Sequence, residues 1–286
     1  FEKKEMVLPF GMDLLLLGDL PSGAGLSSSA SLEVLIGFIM RDLYGFDVTN
    51  VDLALIGQQA EHEFCGVNCG IMDQFAVAMG KKDHALLLNT KTLDYEYIPI
   101  TLCGVKLIIA NSNKKHKLGE SKYNERREEC ETALEEISQA IGIHALCDLD
   151  EKTWNLYQVT VKDDDRKRRV KHAVTENART KQAAAALKNG ELKTFGELMK
   201  ASHQSLSEDY EVTGDEMDAL AEAAWQQDGV LGSRMTGGGF GGSTISLVKE
   251  NFVDEFIQET GRIYTEKTGL SADFYVVEIG DGPVVQ

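Results

Sequence analysis

Four stretches of this sequence carry residue types and spacings that could do chemistry. The first is Pro21-Ser-Gly-Ala-Gly-Leu-Ser-Ser-Ser-Ala-Ser31, a glycine-rich turn that runs straight into an apolar-periodic segment. Gly23 and Gly25 permit backbone conformations closed to other residues and let the chain approach a ligand closely. Ser27, Ser28 and Ser29 offer hydroxyls and unpaired N–H groups at the positive end of a helix dipole. The junction therefore suits either an anion or a serine-capped helix start, and spacing alone does not separate the two. The second stretch is Gly70-Ile-Met-Asp-Gln74, which sets Asp73 at a helix start between apolar neighbours. Such an Asp is either a dipole partner or a partly desolvated carboxylate able to orient, or take a proton from, a hydroxyl. The third is Glu61. With Ser28 it forms a hard-oxygen pair of the kind magnesium prefers, although spacing alone would leave Glu61 an exposed helix residue. The fourth, Thr236-Gly-Gly-Gly-Phe-Gly-Gly242, lies between two strand-like runs, where its glycines read as a backbone loop pressed against a ligand or another loop. No G-x-x-x-x-G-K-[ST] sequence occurs, and no G-x-G-x-x-G follows a strand with a correctly spaced acid, so P-loop and dinucleotide folds are excluded.

The elements that must position these residues are legible in outline. Met12 to Leu17 reads as a buried strand feeding the serine loop, and Leu32, Leu35, Ile36, Ile39, Met40 and Leu43 mark a buried helix after it. Thr49-Asn-Val-Asp52 has the form of a capping box for a helix reaching about Phe64. Cys65 to Gly70 is a loop. Ile71 to Met79 is a short helix with Met72, Phe75, Ala76 and Met79 on one face, stopped by Gly80. Strands follow at 85–89, 95–100 and 105–110, then a polar loop at 111–120 and a long helix over 121–141. The helical stretch 162–189 carries Arg166-Lys-Arg-Arg169, a basic cluster expected to be a solvated face. Helices at 191–209 and 214–228, strands at 230–235 and 243–248, a helix at 251–267 and a strand at 272–279 complete the chain. The pattern is α+β, with a domain boundary near Gly104 that separates residues 1–104 from 105–286.

A chain of 286 residues suits two packed domains. Its net charge of −17 argues against non-specific binding to nucleic acid or anionic membranes, and neither is expected as a partner. No apolar run approaches the ~20 residues that span a bilayer, and no signal peptide is expected. Five scattered cysteines fit a reducing cytoplasm rather than a disulfide framework. Cys65 and Cys69 lack a second zinc-spaced pair and read as small buried side chains. The chain opens on Phe1, with a strand candidate feeding directly into the serine loop, which suggests a natural N-terminus lying further upstream.

Taken together, these stretches resemble the GHMP small-molecule kinases, and among them the galactokinases. The serine stretch is similar to that superfamily's ATP-phosphate loop, and Met235 to Gly242 to its C-terminal glycine motif. Cys69-Gly-Ile-Met-Asp-Gln-Phe75 is similar to the galactokinase form, whereas mevalonate and homoserine kinases differ there. Gln59-Ala-Glu-His62 and Ser121-Lys-Tyr123 also fit. The resemblance implies a two-domain fold, with an incomplete ribosomal-protein-S5-like domain that binds ATP followed by a ferredoxin-like domain. It implies that Gly23, Ala24, Gly25, Leu26, Ser27, Ser28, Ser29 and Ala30 cradle the ATP phosphates and that Ser28 and Glu61 hold Mg²⁺. Asp73 would be the catalytic residue. Gly70, Asp73 and Tyr123 would line the galactose site, with Gly237, Gly238 and Gly239 bracing it. The protein would be a cytoplasmic monomer acting on galactose and ATP. A silent galactose/ATP sensor and an N-acetylgalactosamine kinase are the alternatives, and the intact Ser29-Ala30-Ser31 favours the enzyme over the sensor. Galactokinases also carry Arg-x-Asn-x-x-Gly-Glu-His-x-Asp, which would lie ahead of Phe1. On this resemblance a purified 1–286 chain given galactose, ATP and magnesium is expected to release no ADP in a coupled assay. Galactose-dependent ADP release would overturn that expectation.

Overall fold

The structure is a computed structural model that describes residues 1, 6–20, 24–114 and 119–285. Its contacts divide the chain into two compact units. The first comprises residues 1–99 together with 279–286, and the second residues 100–278. The first unit thus ends five residues before Gly104 and takes back the C-terminal tail.

The first unit contains helices α1 (Ser28–Tyr44), α2 (Asn50–Ala60) and α3 (Met72–Met79) and an antiparallel hairpin of β1 (His84–Leu88) and β2 (Tyr95–Pro99). Gly45 stops α1 in the left-handed conformation, its N–H bonded to the Arg41 carbonyl. Thr49 and Asp52 form the expected capping box: the Asp52 N–H donates to Thr49 Oγ1 at 3.1 Å and the Thr49 N–H to Asp52 Oδ2 at 2.8 Å. Past Ala60 the helix widens into a π-helical turn, Glu61–Cys65, closed by left-handed Gly66. Val34, Ala54, Ile71, Phe75, Ala78 and Met79 form the core, with Leu86 and Leu88 against it. Arg41 donates to Asn50 (2.6 Å), which in turn donates to the Ala78 carbonyl (2.9 Å), so a polar chain links all three helices.

Four expectations for this unit are corrected. Met12 to Leu17 forms no strand. Among the described residues it has no ladder partner, and Leu15 and Leu17 are 85% and 87% exposed; an extended segment alone cannot pair its backbone groups. In α1 the buried residues are Ala30, Val34 and Gly37, while Leu32, Leu35 and Leu43 are exposed. The stripe of large residues suggested the opposite face. The close helix contact instead needs small residues, since a Cβ on Gly37 would lie 3.1 Å from Leu53 Cδ2. In α3 the buried face is Gln74, Phe75, Ala78 and Met79, with Met72 and Ala76 exposed. Cys65 is exposed and Cys69 half-buried rather than buried, and none of the five cysteines is in a disulfide.

The second unit is built on a four-stranded antiparallel sheet. Its strands are β3 (Val105–Asn111), β4 (Val230–Thr236), β5 (Ser243–Lys249) and β6 (Asp273–Val277), in the order β4-β5-β3-β6. In sequence order that is the 4-1-3-2 arrangement of a ferredoxin-like split βαβ. A helical insertion joins β3 to β4: α4 (Gly119–Ser138), α5 (Glu151–Tyr157), α6 (Asp164–Lys188), α7 (Leu192–Ser205) and α8 (Asp215–Trp225). Helix α9 (Val253–Thr268) joins β5 to β6. Helix α7 crosses β4 with Gly196 against Gly232, where a Cβ on either would come within 2.3 Å of the other segment's backbone.

The basic cluster at the start of α6 is not simply a solvated face. Arg169 is 1% exposed and binds Glu129, Glu211 and the Asp209 carbonyl at 2.6–2.7 Å. Arg166 pairs with Glu136, and Arg168 with Asp165 and Glu211. The acids that neutralise Arg169 stand 40 residues before it and 42 after it, so local sequence could not disclose them. A second π-helical turn, Leu206–Tyr210, extends α7 beside this network. There Ser205 donates to Asp209 at 3.0 Å and accepts from His172 Nδ1–H at 2.9 Å, while the His172 ring stacks on Tyr210. Burial holds His172 down to about 4, from an ordinary 6.5. The unfolded chain therefore binds a proton between about pH 4 and 6.5 that the folded chain does not, and stability falls as pH drops through that window. At ~1.4 kcal/mol per pH unit this amounts to about 3 kcal/mol. Urea denaturation at pH 7 and pH 4 is expected to show that loss in the parent chain and a smaller one in His172→Gln, whose amide can still donate to Ser205.

Candidate active site

The serine loop enters α1 through two left-handed residues in three, Gly25 (φ 68°) and Ser27 (φ 55°). Ser27 occupies the N-cap position, yet its side chain makes no capping hydrogen bond; only its carbonyl is used, by the Ser31 N–H at 3.0 Å. A non-glycine residue held at positive φ without a capping role is a strained position of the kind found where a loop binds something. The loop runs into the first turn of the helix, whose unpaired N–H groups and positive dipole end suit an anion. Ala24 and Ala30 are buried, Leu26 and Ser28 are half-buried, and Ser29 is exposed. Gly23 lies outside the described residues.

Around Glu33, five residues beyond Ser28 on α1, three carboxylates gather. Glu61 opens the π-helical turn and is 9% exposed, not the solvent-facing residue that spacing alone suggests. Asp73, half-buried, sits in the first turn of α3. Glu33, on α1, completes the group and accepts a hydrogen bond from Gln74 Nε2 at 3.1 Å. Burial, partly opposed by that hydrogen bond and reinforced by Glu61 and Asp73, pushes Glu33 up to about 7. Burial first, and then the Glu61 and Glu33 charges, raises the Cys69 thiol as well. The loop between α2 and α3 is fixed by its Cys69 carbonyl, which accepts from His62 Nε2 (2.8 Å) and Gln58 (3.2 Å). Glu33 and Gln74 are site residues that motif reading passed over. Glu33 lies two residues past the serine stretch and Gln74 directly follows Asp73, but nothing local shows that they would meet.

The donor set fits a hard divalent cation. Among the described residues no group of three or more His, Cys, Asp or Glu side chains forms a metal cage by itself. Magnesium seldom needs one, because it takes one or two carboxylates and completes its shell with phosphate oxygens and water. Glu61 is a buried carboxylate beside another, and Oε1 of Gln74 is a buried acceptor without a protein partner in the same cluster. No contact ties Ser28 to these acids.

The second unit holds the glycine loop and Tyr123. Gly237, Gly239, Phe240, Gly241 and Gly242 all have φ between 60° and 120°. The Phe240 N–H donates to the Val212 carbonyl at 2.6 Å, and a Cβ on Gly239 would lie 2.2 Å from that oxygen. The loop is thus pressed against the chain that follows the second π-helical turn. Its other side is open at Gly238, where a Cβ would meet only the Tyr123 ring at 3.7 Å, and Lys122 lies over the Phe240 ring. Tyr123 and Gly237–Gly239 are therefore neighbours within their unit, as Glu61 and Asp73 are within theirs. Gly70 is exposed with open space around its Cα, so sterics do not demand glycine there.

Residues 1–81 match the family GHMP kinases N terminal domain and residues 183–262 match GHMP kinases C terminal, which sets the class as a GHMP kinase. Over 275 residues the chain is 51% identical to the galactokinase of Ligilactobacillus salivarius, covering 96% of this chain and 71% of the relative. To that of Bacillus subtilis it is 50% identical, covering 99% and 72%. The solved structure of Lactococcus lactis galactokinase complexed with galactose superposes with a TM-score of 0.91 at 45% identity, over 93% of this chain and 68% of that one. The chain belongs to the galactokinase family. No described helix is long and apolar enough to cross a membrane.

Gly239→Ala is expected to detach the glycine loop from Val212, since the new Cβ would both overlap the carbonyl and oppose a φ of 84°. Hydrogen–deuterium exchange should speed up at Phe240, and unchanged protection there would contradict this account of the loop.

Proposed function

We propose that this chain supplies the catalytic core of a galactokinase, transferring the γ-phosphoryl group of ATP to the C1 hydroxyl of galactose to give galactose 1-phosphate and ADP. The observation that carries the reading is the convergence of Glu61 and Asp73 on Glu33, in the helix that follows the serine loop, in a chain half identical to galactokinases. Residues 1–104 are the ATP-binding part in this reading, and residues 105–286 contribute Tyr123 and the glycine loop. The N–H groups of Ala24 to Ala30 face the phosphates, whose charge suits the helix N-terminus. Ser28 and Glu61 would hold Mg²⁺, which when bound offsets charge developing on the transferring group. Asp73 orients the C1 hydroxyl and accepts its proton as the new O–P bond forms and the bond to the ADP oxygen breaks. Gly70 and Tyr123 line the sugar, and Gly237–Gly239 brace it. Five cysteines outside any disulfide suit an enzyme of the reducing cytoplasm.

The test is a coupled ADP-release assay over a sugar panel, on a chain carrying the Arg-x-Asn-x-x-Gly-Glu-His-x-Asp motif ahead of Phe1. Galactose is the expected acceptor, and Asp73→Asn is expected to lower kcat by about 10²–10⁴-fold with native circular dichroism. Preference for N-acetylgalactosamine would reassign the sugar. Binding of galactose and ATP without turnover would turn the reading to a sensor, and near-normal rates in Asp73→Asn would remove its role.

A further inference from the structure

The three functional elements of the first unit come from three helices, and one side-chain pair touches all three. Glu33 lies five residues after Ser28, about 7.5 Å along α1 from the serine loop. Gln74 directly follows Asp73 on α3 and is 2% exposed. Between them passes Gly57 of α2, four residues, about 6 Å, before Glu61. A Cβ at Gly57 would lie 3.0 Å from Gln74 Cγ and 3.1 Å from Glu33 Oε2, so the α2 backbone seats the pair. We infer that Glu33, through its hydrogen bond to Gln74 over Gly57, is a positioning residue that fixes the serine loop, Glu61 and Asp73 relative to one another.

A carboxylate is a costly choice for a merely structural contact. It is part-buried, where a carboxylate gives up hydration that an apolar side chain would not miss. An apolar side chain would pack α1 against α3 without that cost. What it could not do is direct a hydrogen bond at the residue next to Asp73. Glu33 touches neither substrate nor metal in this account; it acts through Gln74. Phosphoryl transfer relies on positioning to an unusual degree, because the reaction needs its oxygens roughly in line and leaves the protein little covalent chemistry to do. A displacement of about 1 Å in such a site can cost about 10²-fold in rate.

This inference rests on the roles given to Asp73 and Glu61 above, and its test separates the two. Glu33→Ala, Glu33→Gln and Gln74→Met are made in the chain carrying the N-terminal motif. Glu33→Ala and Gln74→Met should each lower kcat by about 10²-fold, with KM for galactose within about threefold of the parent. Glu33→Gln, which keeps an oxygen acceptor for Gln74, should recover most of the rate. Hydrogen–deuterium exchange over residues 71–76, read on the same proteins, should accelerate in the first two variants and not in the third. If Glu33→Ala does not fold, Gln74→Met carries the comparison at nearly constant volume. Unchanged exchange in Gln74→Met overturns the inference, and so does a loss in Glu33→Gln equal to that of its deletion. Faster exchange with an unchanged kcat would uphold the pair as what fixes α3 and would instead remove Asp73 from the reaction.

Discussion

The first unit is organised around holding carboxylates of like charge together. At 4 Å two such charges repel by roughly 4 kcal/mol at an effective dielectric of 20, and burial adds its own penalty for each ionised group. Glu33, Glu61 and Asp73 come from three helices whose packing leaves them close, and Glu33 responds by rising to about 7. Such an arrangement persists only if the scaffold over-determines it. The scaffold here is a small-residue helix contact at Gly37 and Gly57, the Arg41–Asn50–Ala78 polar chain, and a loop pinned by two donors to the Cys69 carbonyl. A cation placed among these oxygens would relieve the repulsion.

The second unit solves a different problem with the same economy. Its glycine loop needs a run of positive-φ residues, a conformation that a loop alone would not keep. The loop is held by the Val212 carbonyl, and Val212 in turn follows a π-helical turn fixed from below by Arg169, a buried guanidinium with two carboxylates and a backbone oxygen around it. The basic cluster therefore serves the glycine loop at one remove. Removing a partner from such a buried pair costs far more than the pair contributes, which ties the loop's position to acids far away in sequence. Both π-helical turns, Glu61–Cys65 and Leu206–Tyr210, occur where a helix delivers a polar side chain to these networks, a common place for that rare geometry.

Particular residues show where sequence reasoning works and where it stops. Thr49 and Asp52 were legible because a capping box lies within four residues. The strands of the second unit are legible because short apolar runs such as Val105 to Ala110 and Ser243 to Val248 follow a glycine and are too short for a helix. Met12 to Leu17 misled, since an apolar run states only that burial is favourable and not that a partner strand lies beside it. The large-residue stripe of α1 misleads because periodicity weighs the largest side chains, whereas the closest helix contact is made by the smallest. Glu61 was chemically plausible but read as exposed, because nothing within its own helix reveals a π-helical turn or a neighbouring helix.

What the sequence determined by itself was local and chemical: helix starts and stops, the strands from His84 onward, the glycine and serine loops, and motifs whose combination is similar to the galactokinases. Those properties depend on residues within one or two turns of each other. Only the tertiary structure decided which acids share a site, that Gln74 binds Glu33 across 41 residues, that Arg169 is buried, and that the glycine loop leans on Val212. Hydrogen bonds and charges act over a few ångströms of space whatever the distance along the chain, so their partners become known only when the chain is folded.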